Sequence, residues 1–244
     1  MTWSIVARDP LTGAFGVAIA TRFFAVGALC PHAMAGKGAL STQAFVNPSF
    51  GPRGLQLLSN GASAADVVNA LIGDDAGAAV RQLHVVDARG SVAAHTGGSC
   101  VGWAGQAAGD QVSVAGNMLA GPAVVDRSLD VYRSSGALGF AERLLRGLEA
   151  GEAAGGDKRG KQSAALKIVS TEDYPDIDIR VDDHAEPIAE LRRLQRVHGA
   201  YYDVFRRHLP RRADPTGTLD RAAIMREIEA HRRGLGLDPS GVGP

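Results

Sequence analysis

The sequence predicts an α+β fold, because its strand and helix segments occur in groups and do not alternate one by one. The clearest strand signal is at the start, where the apolar segments SIVAR and AFGVAIA flank the turn segment DPLTG. Further along, helices, hairpins, helices and strands follow in that order, which favours antiparallel sheets over parallel βα units. Two sheets packed face to face with helices outside would fit this order, and so would a single sheet with helices on one face.

The elements of the first half are delimited by breaks in the apolar pattern. The segment GALCPHAMAGKGALSTQAF predicts short strands interrupted at Pro31, and GPRGLQLLSNGASAADVVNALIG predicts two helices separated at Asn60. Ser63 is the expected N-cap of the second of these helices. The segment RQLHVVDARGSVAAHTG then predicts a hairpin, and QVSVAGNML predicts one more strand.

The second half begins with two segments of helical spacing, PAVVDRSLDVYRSS and ALGFAERLLRGLEAG. The polar segment GGDKRGKQS leads into the predicted strands AALKIVS and DIDIRV. Beyond His184, PIAELRRLQRVHGAYYDVFRRHL predicts an amphipathic helix, and a last helix is expected to begin near Thr218 and end before Gly234. We therefore expect a domain over residues 1–184 and a helical extension over residues 185–244, which packs on the core or on a second subunit.

The composition excludes several classes of partner. The chain carries 26 Lys and Arg against 26 Asp and Glu, so its overall charge does not attract nucleic acid or an anionic membrane. The sequence contains no run of 18 apolar residues and no basic leader followed by an apolar segment. Cys30 and Cys100 are expected to be free thiols. These features predict a cytoplasmic protein without nucleic-acid or membrane partners.

Motifs of the common enzyme classes are missing from the sequence. It contains no G-x-S-x-G elbow, phosphate-binding glycine loop, H-E-x-x-H or C-x-x-C, so we expect no cofactor and no resident metal. The segment GGDKRGKQS resembles a phosphate loop only in composition, and a tight exposed turn is the favoured interpretation. The alternative is a turn that reaches into a site and presents Arg159 or Gln162 to an anion or an amide.

The run Asp182-Asp183-His184 contains residue types that ligate divalent metals. Adjacent residues at the end of a strand point in alternating directions, however, so three in a row rarely converge on one ion. A helix-capping and salt-bridge role, with Arg180 as charge partner, is therefore favoured. A metal-dependent activity at these three residues remains a weaker alternative.

Thr2 directly follows Met1, at the start of the first predicted strand. Aminopeptidases remove an initiator methionine when the next side chain is small. Removal here would leave a hydroxyl and an α-amine on adjacent carbons, a pair in which the amine can take the proton of the hydroxyl. Threonine is common at this position in proteins without such a role, so Thr2 alone is a weak indication of catalysis.

Five further polar residues have uncommon surroundings. Arg22 lies in an apolar predicted strand, where a cation needs a carboxylate or a ligand as partner. Asn117 ends an apolar strand, where its amide needs hydrogen-bond partners. Thr42 and Gln43 follow a short strand, and Asn47 precedes a proline and is most simply a turn residue. Each of these residues, taken alone, has a structural interpretation.

Six separated segments resemble, in the same order, the uncharacterised family DUF1028, which is placed in the N-terminal nucleophile (Ntn) hydrolase superfamily. The segments are TWSIVARDPLTGAFGVAIATRFFAVGA, STQAFVNPSFGPRGLQLL, RQLHVVDARGSVAAHTG, GNMLAGPAVVD, AERLLRGLEAGEAAGGDKRGKQSAAL and IRVDDHAEPIAELRRL. The resemblance implies a four-layer αββα sandwich, which selects between the two arrangements left open above. It also implies a mechanism in which a processed N-terminal Thr, Ser or Cys attacks an amide carbonyl, with its own α-amine as base.

On this resemblance, Thr2 is the expected nucleophile and base of an amidohydrolase that cleaves a small amide or peptide-like C–N bond. Arg22 and Asn117 are the expected catalytic helpers, because a fixed cation favours the free amine and an amide can donate to an oxyanion. The expected substrate contacts are Thr42, Gln43, Asn47 and Arg159.

The sequence departs from the proteasome-like branch of the superfamily, in which a lysine and an aspartate support the nucleophile. Ala20 stands where that aspartate is expected, and Lys37 lies in about the right region without an assigned role in DUF1028. A catalytically silent Ntn fold that binds a ligand or partner through the same cleft is therefore the alternative. The apolar stripe of the C-terminal helices would be a liability if exposed, which predicts a homodimer.

Overall fold

The computed structural model describes residues 2–238 and has a mixed α+β fold. The strands are β1 (Thr2–Arg8), β2 (Phe15–Thr21), β3 (Pro31–Met34), β4 (Gly38–Ala44), β5 (Arg81–Asp87), β6 (Val92–Thr96), β7 (Trp103–Gly109), β8 (Val112–Leu119), β9 (Ser163–Val169) and β10 (Ile177–Val181). The α-helices within the described residues are α1 (Phe50–Ser59), α2 (Ala64–Gly73), α3 (Ala123–Ser134), α4 (Phe140–Ala153), α5 (Pro187–Phe205) and α6 (Arg221–Gly234).

The chain divides into two compact units, the first reaching Leu191 and the second beginning at Arg192. The first unit contains all the described strands and helices α1 to α4, and α5 begins within it. The second unit contains the rest of α5 and α6. No helix between residues 2 and 238 combines the length and the apolar character needed to cross a membrane.

The strands of the first unit form two antiparallel sheets. The larger sheet has six strands in the order β10-β9-β2-β1-β8-β7, and the smaller has four in the order β3-β4-β5-β6. The predicted antiparallel pairing is confirmed, and the alternative of a single sheet is wrong. Strand β1 pairs with β2 on one side and with β8 on the other, so the first described residue of the chain lies inside a sheet and not at its edge.

Each sheet packs against the other sheet and against one pair of helices. Val6 of β1 and Val86 of β5 belong to one buried cluster between the sheets. Leu40 of β4 packs with Phe50 of α1 and Leu71 of α2 on the opposite face of the smaller sheet. Helices α3 and α4 contact β1, β2 and β8 of the larger sheet. The apolar faces of both helix pairs are thereby buried.

The predicted separation of α1 and α2 at Asn60 is confirmed, and its cause is local. Gly61 has a φ of +89°, a conformation that continues no helix. Ser63 then caps α2, because its hydroxyl accepts from the amide of Asp66 while the Asp66 carboxylate accepts from the amide of Ser63. The expected N-cap is therefore correct.

The second unit contains buried apolar side chains. Ala200 and Val204 of α5 and Ile228 of α6 are buried. Asp220 caps α6 by accepting a hydrogen bond from the amide of Ala223 at 3.0 Å. The cap explains why α6 begins at residue 221, slightly after the start expected from the apolar pattern.

Candidate active site

Four polar residues form one row across the larger sheet. The strand registers pair Ser163 of β9 with Thr21 of β2, Thr21 with Thr2 of β1, and Thr2 with Asn117 of β8. All four are buried, and Thr2 retains an exposed fraction of 6%. The Oγ1 atoms of Thr2 and Thr21 are 3.1 Å apart, which is hydrogen-bonding distance. Thr2 is thus flanked by polar side chains on both neighbouring strands.

The row faces the smaller sheet. Side chains alternate between the two faces of a strand, so Thr2 shares a face of β1 with Ser4 and Val6. Val6 packs in the cluster that contains Val86 of the smaller sheet, and the Ser4 hydroxyl donates to Oε1 of Gln43 at 2.7 Å. The layer between the sheets is therefore apolar at the Val6 end and polar at the Thr2 end.

Gln82 of β5 is the centre of this polar layer. Its Oε1 accepts from Nε2 of Gln43 at 2.8 Å and from Nδ2 of Asn117 at 3.0 Å. Its Nε2 donates to the Gly116 carbonyl at 2.8 Å, and a carbonyl can only accept, so the orientation of the amide is fixed. Asn117, next to Thr2 in the row, is in this way held by a side chain of the opposite sheet.

His84 of β5 supports the same layer as a neutral imidazole. The single hydroxyl proton of Ser4 goes to Gln43, so Ser4 accepts from His84 Nε2 at 2.7 Å. Nδ1 of His84 then accepts from the Ser113 hydroxyl at 3.1 Å. Complete burial lowers the pKa of His84 to about 3. The imidazole therefore orients the Ser4 and Ser113 hydroxyls without adding a charge to the polar layer.

A buried carboxylate, that of Asp157, fixes the chain around the end of the row. It accepts from the Arg22 amide at 2.7 Å, from the Arg159 amide at 2.9 Å and from Nη2 of Arg159 at 3.1 Å. The amide of Gln162, in the same loop, donates to the Thr21 carbonyl at 3.0 Å. The segment after α4 thus forms a tight turn that exposes Lys158 and Arg159, as expected, and it also lies against the end of β2 beside Thr21.

Arg22 lies outside the strand in which it was expected. Strand β2 ends at Thr21, and Arg22 is exposed in the bend that follows. The physical reason is that Asp157 takes the Arg22 amide, which ends the pairing of the ladder. Nη1 of Arg22 lies over Gly160, and between residues 2 and 238 the guanidinium makes no hydrogen bond or ion pair. A cation is therefore available one residue beyond Thr21.

The other residues expected at the site separate into two groups. Gln43 belongs to the polar layer and Arg159 is bound to Asp157 at its edge. Thr42 and Asn47 contact each other instead, since the Thr42 hydroxyl donates to the Asn47 carbonyl at 3.3 Å. Oδ1 of Asn47 accepts from the amide and the hydroxyl of Ser49, ahead of α1. Thr42 and Asn47 thus organise the entry into α1, which supports the simple interpretation of Asn47 as a turn residue.

Lys37 lies at the far end of the smaller sheet, in the turn before β4. It precedes Gln43 by six residues of near-extended chain, which places it roughly 20 Å from the polar layer. Its Nζ is 3.5 Å from the Ser59 carbonyl. Lys37 therefore lies away from the polar layer that contains Thr2.

Asp182, Asp183 and His184 do not converge. Asp182 pairs with Arg180 at 3.5 Å, and Asp183 accepts from Nε2 of Gln162 at 3.2 Å. Nδ1 of His184 accepts from the amide of Glu186 at 2.9 Å. The part of the chain that the structure describes contains no group of three His, Cys, Asp or Glu residues placed to hold a metal ion. The weaker metal-dependent alternative is therefore not supported, because each side chain is engaged separately.

Both cysteines are free, as expected. Cys30 is buried, and burial raises the pKa of its thiol to about 12. A thiol with such a pKa is not a nucleophile at neutral pH, because the reactive species is the thiolate. Cys30 therefore lies in a structural and not a reactive environment.

The comparisons with known proteins agree over most of the chain. A model described as a family of unknown function, DUF1028, matches residues 2–191. The chain is similar to the crystal structure of protein SPO2555 from Silicibacter pomeroyi, described under the same family model. That similarity has 33% sequence identity and a TM-score of 0.83, and it covers 90% of this chain and 96% of that one.

A much weaker similarity is to Anbu (ancestral beta-subunit) from Yersinia bercovieri, with 12% identity and a TM-score of 0.35 over 84% of this chain and 96% of that one. No curated protein matches the chain. The match of the family model from the first strand to the end of the first compact unit, together with the identity to SPO2555, shows that this chain belongs to DUF1028, a family of unknown function.

Proposed function

We propose that the protein is an amidohydrolase of the Ntn type, in which removal of Met1 leaves Thr2 as an N-terminal nucleophile. The observation that carries the proposal is the position of Thr2. It begins a central strand, faces the polar half of the layer between the sheets, and has its Oγ1 3.1 Å from the Thr21 hydroxyl. The substrate class is a small amide or peptide-like molecule with a C–N bond to be cleaved.

The proposed reaction needs only the two functional groups of Thr2. The α-amine takes the proton of Oγ1 while Oγ1 attacks the amide carbonyl, which gives a tetrahedral intermediate. The same amine then passes the proton to the leaving nitrogen, the C–N bond breaks and an ester to Thr2 remains. A water molecule, deprotonated by the amine, hydrolyses the ester and restores Thr2.

The surrounding residues have separate proposed roles. Thr21 orients Oγ1 of Thr2 through the hydrogen bond between their hydroxyls. Arg22 favours the neutral form of the amine, because a cation one residue beyond Thr21 disfavours a second positive charge nearby. Asn117 adjoins Thr2 in the row, and its Nδ2 carries a second proton beyond the one donated to Gln82, which is available to an oxyanion.

Arg159 is the proposed substrate contact at the edge of the site, since its guanidinium is held by Asp157 and remains partly exposed. Gln43 acts by holding Gln82 and Ser4. Thr42 and Asn47 have no proposed contact with substrate, because their hydrogen bonds organise the start of α1.

We also propose that the first unit is a four-layer αββα sandwich of the Ntn type. Its support is that the two sheets contact each other while α1 and α2 contact the smaller sheet, and α3 and α4 the larger. The helical extension over residues 185–244 is proposed to form a homodimer through its apolar faces. Sedimentation equilibrium of the intact chain and of a chain with arginine-rich α6 removed would test the dimer.

The experiment that tests the amidohydrolase begins with the intact mass of the purified protein. A mass lacking one methionine, with Thr2 at the N-terminus, is expected. The processed protein is then assayed against a panel of small amides alongside Thr2→Ala, which lacks the hydroxyl, and Thr2→Ser, which keeps it. Hydrolysis that Thr2→Ala abolishes and Thr2→Ser retains supports the proposal.

A retained Met1 would contradict the proposal, because the nitrogen of Thr2 would then be an amide and could not act as a base. A processed protein whose hydrolysis survives Thr2→Ala would contradict it as well. The first result would favour the alternative, a catalytically silent Ntn fold that binds a ligand through the same polar layer. The second would show that the hydrolysis uses a group other than the Thr2 hydroxyl.

A further inference from the structure

The second compact unit concentrates positive charge. Between residues 192 and 238 the sequence contains eleven arginines, no lysine and six aspartates and glutamates, whereas the whole chain has equal numbers of cationic and anionic side chains. Arginine binds carboxylate and phosphate groups through a planar pair of donors, which lysine cannot do. The composition of this unit therefore suits recognition of an anion more than general solubility.

A cavity of about 680 Å³ lies within this unit, between the middle of α5 and the end of α6. Cavities that bind small organic molecules in proteins typically measure about 300 to 1,000 Å³. All the residues that line it belong to the second unit, and none of them belongs to the polar layer that contains Thr2.

The wall of the cavity is mainly apolar. Val197 and Ala200 of α5 form one side, and Leu235 and Leu237 beyond the end of α6 form the other. Leu235 is 52% exposed and Leu237 is 43% exposed. Both leucines therefore expose apolar surface at the mouth of the cavity. A ligand with an apolar body would remove that surface from water, which stabilises the bound state.

Three of the polar side chains that line the same cavity are cationic. Arg193 and Arg196 of α5 and Arg232 of α6 line it, and no aspartate or glutamate is among its lining residues. Arg232 is fixed in place, since its Nε donates to the Asp238 carbonyl at 2.8 Å. His231 is fixed too, because Nε2 donates to the Gly199 carbonyl at 3.0 Å. The cationic side chains therefore come from two helices, α5 and α6, which contact each other through the hydrogen bond between His231 and Gly199.

We propose that this cavity binds an amphipathic organic anion, with its apolar body against Leu235 and Val197 and its carboxylate or phosphate head on Arg196. An apolar wall with few polar groups that fix orientation is the usual composition of a small-molecule site. The ligand is a single small molecule, and its binding does not depend on Thr2 or on the proposed hydrolysis.

Isothermal titration of the full-length protein tests this proposal with decanoate, decyl phosphate and decyltrimethylammonium, each below its micelle concentration. The two anions distinguish a carboxylate head from a phosphate head, and the cation carries the same alkyl chain with the opposite charge. We expect saturable binding of one ligand per chain for at least one anion and none for the cation. Binding is expected to be the same in Thr2→Ala, which separates this site from the proposed active site.

Two variants and one control locate the site. Arg196→Gln removes the charge and Leu235→Asp places an anion at an exposed position of the wall, and each is expected to weaken anion binding by about tenfold or more. Arg221→Gln, an exposed change at the start of α6 outside the cavity, is expected to leave the affinity unchanged. Circular dichroism of all three variants verifies that the helices remain folded.

Three results would overturn the proposal. The first is an absence of saturable binding by both anions, and the second is equal binding of the anions and the cation. The third is anion binding that neither Arg196→Gln nor Leu235→Asp weakens. A short oligonucleotide that binds while both alkyl anions fail would show instead that the arginines serve nucleic-acid binding.

Discussion

The hydroxyl oxygens of Thr2 and Thr21 lie 3.1 Å apart across two adjacent strands, at residues that the ladder pairs directly. Neither hydroxyl faces solvent, since Thr21 is 1% exposed and Thr2 is 6% exposed. A buried pair of hydroxyls in this geometry restricts the rotation of both side chains. For the proposed reaction, the consequence is that Oγ1 of Thr2 is oriented before a substrate arrives.

Replacement of Thr21 by valine tests this orientation, because valine has nearly the same shape and no hydroxyl. We expect Thr21→Val to lower kcat/KM for a hydrolysed amide by up to about tenfold, the value of one neutral hydrogen bond. Thr12→Val is the matched control, since the Thr12 hydroxyl bonds Asp9 in the hairpin turn after β1. Equal activity of Thr21→Val and the parent protein would show that the hydroxyl pair does not position the nucleophile.

Asp157 should be essential for the order of the segment that adjoins Thr21. In Asp157→Asn, one carboxylate oxygen that accepts N–H groups is replaced by an amide NH₂ group that can only donate, so the Arg22 and Arg159 backbone amides compete for a single acceptor. We expect faster amide hydrogen exchange at Arg22, by about tenfold or more, and a loss of about 1–3 kcal/mol in the free energy of unfolding.

The control for Asp157→Asn is Asp183→Asn. The Asp183 carboxylate is exposed and accepts a hydrogen bond from Nε2 of Gln162, away from the Arg22 amide. It is expected to leave exchange at Arg22 unchanged. Protection of the Arg22 amide that persists in Asp157→Asn would mean that the end of β2 is ordered by packing and not by the carboxylate.

Gln82→Leu should destabilise the protein more than its size change suggests. Leucine fills the space but provides no acceptor, so Nδ2 of the buried Asn117 loses its partner in the opposite sheet. We expect the free energy of unfolding to fall by about 2–4 kcal/mol. Urea denaturation measures it, with the exposed Gln56→Leu on α1 as a control expected to change it by less than about 0.5 kcal/mol.

The sequence predicted the strands of this fold better than it predicted the polar layer between them. In the segment RQLHVVD, Gln82 and His84 alternate with Leu83 and Val85, a pattern that normally describes one buried and one solvated face. Helices cover one face of β5 and the larger sheet covers the other, so both faces are buried. Nothing in the local pattern distinguishes a polar face in water from a polar face that pairs with another sheet.

Asp157 and Arg22 illustrate a second limit. The segment GGDKRGKQS is polar and rich in glycine, which correctly predicts an irregular loop. Its single aspartate is buried, and its carboxylate ends β2 by accepting a hydrogen bond from the Arg22 amide. This contact joins residues 135 positions apart in the chain, so the local sequence does not indicate it. Asn117 was accessible to sequence reasoning because an amide at the end of an apolar strand needs partners, and Gln82 of the opposite sheet is the partner that it has.

His84 makes a specific prediction for the dependence of stability on pH. Its pKa is lowered from 6.5 to about 3 in the folded protein because the imidazole is buried. Between these values the unfolded chain binds a proton that the folded chain does not, so the stabilisation is complete above pH 6.5 and is lost as the pH falls towards 3. The contribution of one such group is about 1.4 kcal/mol per pH unit.

Urea denaturation between pH 7 and pH 4.5 measures this dependence. His84→Gln retains a side chain that can hydrogen-bond Ser4 but does not titrate, so the slope against pH is expected to become shallower by about 1.4 kcal/mol per unit. Some slope should remain, because burial also lowers the pKa of His32. Identical slopes for His84→Gln and the parent protein would show that His84 is protonated in the folded state or that it is accessible to solvent.

The packing of α4 on β1, which holds Trp3 and therefore the position of Thr2, can be tested at Gly151. A Cβ at this position would lie 2.4 Å from Oγ of Ser128 and 2.5 Å from Nε1 of Trp3, both closer than atoms approach without displacement. Alanine favours a helix over glycine by about 1 kcal/mol, but displacing two buried side chains costs about 1–3 kcal/mol. We expect Gly151→Ala to lower the midpoint of urea unfolding.

The control is Gly73→Ala, at the end of α2, where a Cβ has no neighbour within 4 Å. This variant is expected to raise the midpoint. If both variants were stabilised, α4 would have room to move away from β1, and the orientation of Thr2 could not depend on the contact between Gly151 and Trp3.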